Sequence, residues 1–129
     1  MIFNSHISCC ILLTVLCCGC AGKALMERVK DVPSPDAKHI ATSFRMNFGA
    51  TVAYCPEVFL SRTGKPLGKR GNIFRGYKDD RIRLEWKTPT HLRIYCTPDC
   101  RIDLIKEHHD GVTIELIQNW KWLDQVKNK

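Results

Sequence analysis

No aspartate, glutamate, lysine or arginine occurs before Lys23. The whole formal charge of +7, from 20 basic and 13 acidic residues, therefore belongs to the chain from Lys23 onward. No apolar run reaches the roughly 20 residues that a membrane-spanning helix needs; the longest such stretch, residues 7–22 (ISCCILLTVLCCGCAG), has 16. No repeat of a solenoid or propeller array is present. After Cys20 there is no C-x-x-C pair, which argues against a thioredoxin-type redox role. The basic loop lacks the G-x-x-x-x-G-K-[ST] spacing of a phosphate loop. Ser34 and Ser43 have no nucleophile-elbow glycines around them, and no carboxylate pair is set apart by context. These absences leave no catalytic residues to name, so the expectation is a protein that is not an enzyme and needs no cofactor or metal.

What is present fits one small folded domain. The chain has 129 residues, 44% hydrophobic and 26% charged, a composition too rich in apolar residues for wholesale disorder. A basic domain suits an anionic partner: nucleic acid, lipid headgroups or a cell-wall polymer. Which of these is within reach depends on the compartment, and the N-terminus decides that.

Residues 7–22 have the length of a signal-peptide apolar region followed by small residues. The sequence Leu16-Cys17-Cys18-Gly19-Cys20-Ala21-Gly22 resembles the lipobox of bacterial lipoproteins. That resemblance implies cleavage after Gly19 and lipidation of Cys20. Ala21, not being aspartate, implies sorting to the outer membrane in a Gram-negative cell. Cys17 stands where the family normally has leucine, and residues 1–6 lack Lys and Arg. The competing reading is an uncleaved anchor; with Lys23, Arg28 and Lys30 just after it, that anchor would keep the domain in the cytoplasm. The small-residue end favours processing, which gives residues 1–19 as signal peptide, 20–36 as lipidated cysteine and linker, and 37–129 as a β-rich extracytoplasmic domain. In that compartment no nucleic acid is expected as a partner.

Residues 23–30 read as a short helix or a tether, stopped by Pro33 and Pro35. From Ala37 the apolar period becomes two. Ile40, Phe44, Met46 and Phe48 share one parity; Val52, Tyr54, Val58 and Leu60 come next, with Pro56 marking an edge or bulge. Residues 61–71 (SRTGKPLGKRG) form a loop, and 72–75 a short strand. Ile82, Leu84 and Trp86 alternate with Arg81, Arg83 and Glu85, as Leu92, Ile94 and Cys96 do with His91, Arg93 and Tyr95. Turns are expected at Pro89, at Thr97-Pro98-Asp99 and at Asp110-Gly111. Ile102 and Leu104 open another strand, and Val112, Ile114 and Leu116 continue beyond the hairpin. The fold class is mainly β: a small antiparallel sandwich or curled sheet of six or seven strands after an N-terminal signal and tether.

The run PSPDAKHIA, residues 33–41, resembles the SPDGK signature that opens blade strands in TolB-type β-propellers, carried by Ser34, Pro35, Asp36 and Lys38. Ala37 stands where that family prefers glycine, and the chain is too short for a complete propeller. Taken with FGATVAY, the strand ending at Trp86 and LRIY, the same run is similar to a family of short bacterial proteins, many of them membrane-attached, that has no established activity. The resemblance covers residues 33–95 and implies a fold rather than a function. Phe48 occupies the place of that family's cysteine, ahead of Gly49-Ala50-Thr51.

Three cysteines lie beyond Cys20: Cys55, Cys96 and Cys100. Cys96 and Cys100 flank a three-residue turn, so a cross-hairpin disulfide is the expectation in an oxidising compartment, while pairing of Cys55 with either stays open. Lys65, Lys69, Arg70, Arg75 and Lys78, interleaved with Phe74 and Tyr77, are the candidate contacts for an anionic lipid or wall polymer. Glu107-His108-His109-Asp110 has metal-ligating residue types, but neighbours on a strand point to opposite faces, and a solvated turn is expected there. Trp120 and Trp122 would share a face if the tail were a strand. The functional expectation is a lipid-anchored envelope protein with a structural or interaction role; the alternative is a non-enzymatic module for an anionic partner.

Overall fold

The computed structural model describes residues 25–49 and 54–127. The chain is mainly β, with 58% strand and one short helix. In order it forms β1 (Leu25–Pro33), β2 (His39–Asn47), β3 (Cys55–Arg62), β4 (Phe74–Tyr77), β5 (Ile82–Thr88), β6 (His91–Cys96), β7 (Arg101–Ile105), β8 (His108–His109), β9 (Val112–Gln118) and α1 (Lys121–Lys127). Two sheets result: five strands in the order β1-β2-β3-β4-β7, and four in the order β5-β6-β9-β8. The arrangement is consistent with a β-sandwich and is not a barrel.

Alternation decides which side chains face the other sheet. On β2 and β3, Ala41 lies opposite Leu60 and Ser43 opposite Val58. Ala41, Val58 and Leu60 join Leu92, Ile94, Val112 and Ile114 in the main core, with Ile82, Leu84 and Trp86 packed against it. The intervening positions, Phe44, Met46 and Cys55, form a second cluster with Phe59 and Tyr77. The loop 63–73 crosses this other face of the sheet. A Cβ on Gly68 would stand 2.6 Å from the Phe59 ring, so a larger residue would require the ring or the loop to shift.

Four features differ from the sequence reading. Residues 25–33, expected as a tether, are a nine-residue edge strand paired along β2, from Leu25 opposite Asn47 to Pro33 opposite Ile40. The strand was hidden because nearly all of it is exposed, so no alternating pattern was selected; its backbone does the pairing. Trp86 Nε1 donates to the Val32 carbonyl at 2.9 Å and ties this edge to the other sheet. Second, β6 and β9 pair in parallel. Third, β6 and β7 are not a hairpin; residues 97–100 carry the chain from one sheet to the other. Fourth, the tail is helical, so Trp122 is buried while Trp120 is 46% exposed.

The turn between β1 and β2 is the SPD run itself. The Ser34 hydroxyl donates to Asp36 at 2.7 Å and accepts from the His39 amide at 3.1 Å, and the Lys38 amide donates to Asp36 at 3.2 Å. Ala37 takes φ of 60°, the left-handed region that glycine tolerates best. At the expected β8–β9 hairpin, Asp110 and Gly111 have φ of 49° and 76°, as a two-residue primed turn requires.

Candidate functional site

The register gives the sandwich two poles. One pole gathers the start of β1, the end of β2, the start of β3, the end of β4 and the start of β7. The starts of β5 and α1 and the ends of β6 and β9 lie with them, because the short connections 78–81 and 97–100 join the sheets there. The chain preceding Leu25 enters at this N-terminal pole. Cys20 and the signal region, like Ala50, Thr51 and Val52, lie outside the described residues.

The five candidate cations do not form one patch. Lys65 sits just past β3, its amide donating to the Arg62 carbonyl at 3.0 Å, at the far pole. Lys69 is exposed in the loop, and Lys78, with φ of 79°, comes after β4 at the N-terminal pole. Arg70 turns inward: Nη2 donates to Glu57 Oε2 at 2.5 Å, and Nε lies 3.0 Å from both carboxylate oxygens. Arg75 Nε donates to the Gly71 carbonyl at 2.8 Å. The physical reason is Glu57, which is 0% exposed. A buried carboxylate must be paired, and Arg70 with the Gly71 amide at 2.7 Å satisfies it. Sequence reasoning missed Glu57, although its parity with Cys55 and Phe59 on an otherwise buried strand was the available signal.

The cysteines separate in the same way. Cys96 and Cys100 are buried thiols in the main core, at either end of the crossover turn, and Cys55 is buried in the second cluster. The turn is fixed from all sides. The Cys100 amide donates to the Thr97 carbonyl at 3.1 Å. Gln118 Nε2 donates to the carbonyls of Thr97 and Cys100 at 3.0 and 2.7 Å, and Trp122 Nε1 to that of Cys96 at 3.0 Å. The hydrogen bond between the two thiols, with burial, pushes Cys96 above its ordinary value, and the same bond lowers Cys100. Burial, helped by the Glu57 charge, also raises the Cys55 thiol.

Two further acids, Asp79 and Asp110, are each bonded to an arginine. Asp79, 8% exposed, accepts from Arg81 Nη2 at 2.6 Å and from the buried Thr97 hydroxyl at 2.6 Å. The Arg81 bond is the main cause of its fall from 3.8 to about 2. Asp110 accepts from Arg62 Nε and Nη2, both at 2.8 Å, and lies 3.0 Å from His39 Nε2; Arg62 foremost holds it well below the usual carboxylate range. His108 is exposed, while burial lowers His109. Among the described residues no three His, Cys, Asp or Glu side chains converge on a metal position.

Exposed apolar side chains are unevenly distributed. Leu25, Met26, Phe48, Tyr54 and Trp120 are all exposed at the N-terminal pole, with Val29 and Val126 beside it on β1 and α1. Among the described residues, no large exposed hydrophobic lies at the far pole. Three of the rings carry a guanidinium: Arg70 over Phe48 at 5.0 Å, Arg45 over Tyr54 at 5.1 Å and Arg81 over Trp120 at 5.6 Å. Among the described residues no helix is long and apolar enough to cross a membrane.

Compared with protein-family models, with curated proteins and with solved structures, the chain gives no match. The functional reading rests on the residues themselves.

Proposed function

We propose that the protein is a lipid-anchored cell-envelope protein whose sandwich has a structural or interaction role. The observation that carries this reading is the start of β1 at Leu25, five residues after Cys20. Five extended residues reach about 17 Å at most, so a lipidated Cys20 holds an ordered sheet edge against the bilayer without a long stalk. Asp79 and Asp110 support a non-enzymatic role, because arginine holds each below the usual carboxylate range whereas a general acid or base keeps a pKa near the working pH; Glu57 is taken up by Arg70 and the Gly71 amide. Export would also place the Cys96–Cys100 pair where a thiol–disulfide oxidant could close it, with loss of two protons and two electrons. A module for an anionic partner is the second reading, favoured by the exposure of Lys65, Lys69 and Lys78.

The test is the intact mass of membrane-extracted protein beside a Cys20→Ala variant. The expected mass is that of a chain beginning at an acylated Cys20, a species missing from the variant. An unprocessed mass in both proteins overturns the reading and moves the basic domain to the cytoplasm.

A further inference from the structure

We infer that the N-terminal pole is a bilayer-contacting face, in which Leu25, Met26, Phe48, Tyr54 and Trp120 enter the interfacial region of a phospholipid membrane. The inference rests on the proposal that the N-terminal segment attaches the chain to a membrane; it adds which surface of the domain faces the lipid and by what chemistry.

Three observations converge. The first is where the chain enters. Whatever holds residues 7–22 at the bilayer delivers the chain to Leu25, and Leu25 lies beside Asn47 at the end of β2, immediately before Phe48. A tether of at most about 17 Å keeps this pole nearer the bilayer than the far pole. The second is segregation. Leu25 is 67% exposed, and Met26, Phe48, Tyr54 and Trp120 each exceed 40%, on segments from both sheets gathered at this pole. The far pole instead presents Lys38, His39, Arg62 and Asp110. Rings with one wet edge are the side chains that settle at headgroup depth.

The third observation sets the mode of contact. Each stacked guanidinium already has a carboxylate: Arg45 with Glu27 and Asp80, Arg70 with Glu57, and Arg81 with Asp79. The stacked guanidinia are therefore paired, and the rings insert by burial of apolar surface with the arginine stems lying along them, while the exposed Lys78, Arg101 and Lys121 at the same pole stay at headgroup level. Contact made this way survives high salt, whereas attraction of a basic loop to anionic lipid is screened.

The experiment uses the full chain, incorporated through its own N-terminus into phosphatidylethanolamine–phosphatidylglycerol vesicles, with and without bromine-labelled acyl chains. Tryptophan emission is compared with that of a Trp120→Phe variant, so the Trp120 contribution is obtained by difference from Trp86 and Trp122. We expect the Trp120 contribution to be quenched by bromolipid, to be shielded from aqueous iodide, and to be unaffected by raised salt. Phe48→Ser with Tyr54→Ser should abolish the quenching while the protein still floats with the vesicles. Both positions are exposed, and an unchanged far-ultraviolet circular dichroism spectrum verifies that the variant is folded. Flotation without bromolipid quenching overturns the face and leaves the anchor standing. Failure to float overturns the anchor, and the face with it. Shielding of Trp120 that requires high protein density, without bromolipid quenching, assigns the surface to a second copy of the chain and overturns the lipid contact.

Discussion

Substituting Asp79 with asparagine keeps the volume of the side chain that joins the 78–81 connection to the sheet crossover, but removes its charge. The carboxylate titrates at about 2 instead of 3.8, chiefly because Arg81 bonds to its ionised form. That difference corresponds to about 2 kcal/mol, an upper figure because Arg81 is half exposed and its charge is partly screened by water. A folded-state value below the unfolded one contributes stability that is present in full above about 4 and is lost as pH falls toward about 2. Urea unfolding followed by tryptophan fluorescence, from neutral pH down to about 2.5, measures it. Asp36, Asp110 and Glu115 also have lowered values, but they are common to both proteins and cancel in the difference. The variant is expected to be less stable at neutral pH by at most about 2 kcal/mol, with the gap closing through the acid window. A gap that stays constant with pH would refute the reasoning, because the loss would then come from shape and not from the ionised carboxylate.

Ala37→Gly relieves a left-handed alanine at the β1–β2 turn and should raise stability by about 0.5–1 kcal/mol, read as a shift in urea midpoint; a fall would show that the position is unstrained. Arg70→Met leaves the fully buried Glu57 with only the Gly71 amide and should cost about 3 kcal/mol or more. Glu57→Gln should cost only about 1–2 kcal/mol, because Arg70, 41% exposed, can turn to water. Equal losses in chemical denaturation would contradict that asymmetry.

The strands that bury one face were legible. Ile82, Leu84 and Trp86 of β5 and Leu92, Ile94 and Cys96 of β6 alternate as expected and pack on or in the main core, and the Asp110-Gly111 hairpin forms. β1 was not legible, since an edge strand exposed on both sides leaves no periodic trace. The parallel β6–β9 pair escaped because pairing direction depends on how the chain returns, which no local pattern encodes. The α1 helix is too short for its period to stand out from a strand bearing two tryptophans. The basic stretch was visible as composition, but its division between a buried carboxylate and open solvent depended on Glu57, whose environment only the fold reveals. The N-terminal pole, in the same way, gathers residues from opposite ends of the chain, from Leu25 to Trp120.

The parallel pairing of β6 with β9 also sets an order on how the domain can be built. β1, β2 and β3 are successive antiparallel neighbours, separated in the chain only by residues 34–38 and 48–54, so this part of the larger sheet can condense as the chain emerges. The smaller sheet cannot be completed locally. His91 meets Thr113 only after the chain has crossed to lay down β7 and returned through β8, and every ladder bond between β6 and β9 bears that loop-closure entropy. Until β9 arrives, one edge of β6 stands open, and the carbonyl of Cys96 lacks both the Asn119 amide and the Trp122 indole that later cap it. The docking of β9 thus brings with it the groups that cap the Cys96 carbonyl and cover the thiol pair, so closure of the smaller sheet and protection of the thiols are one topological event.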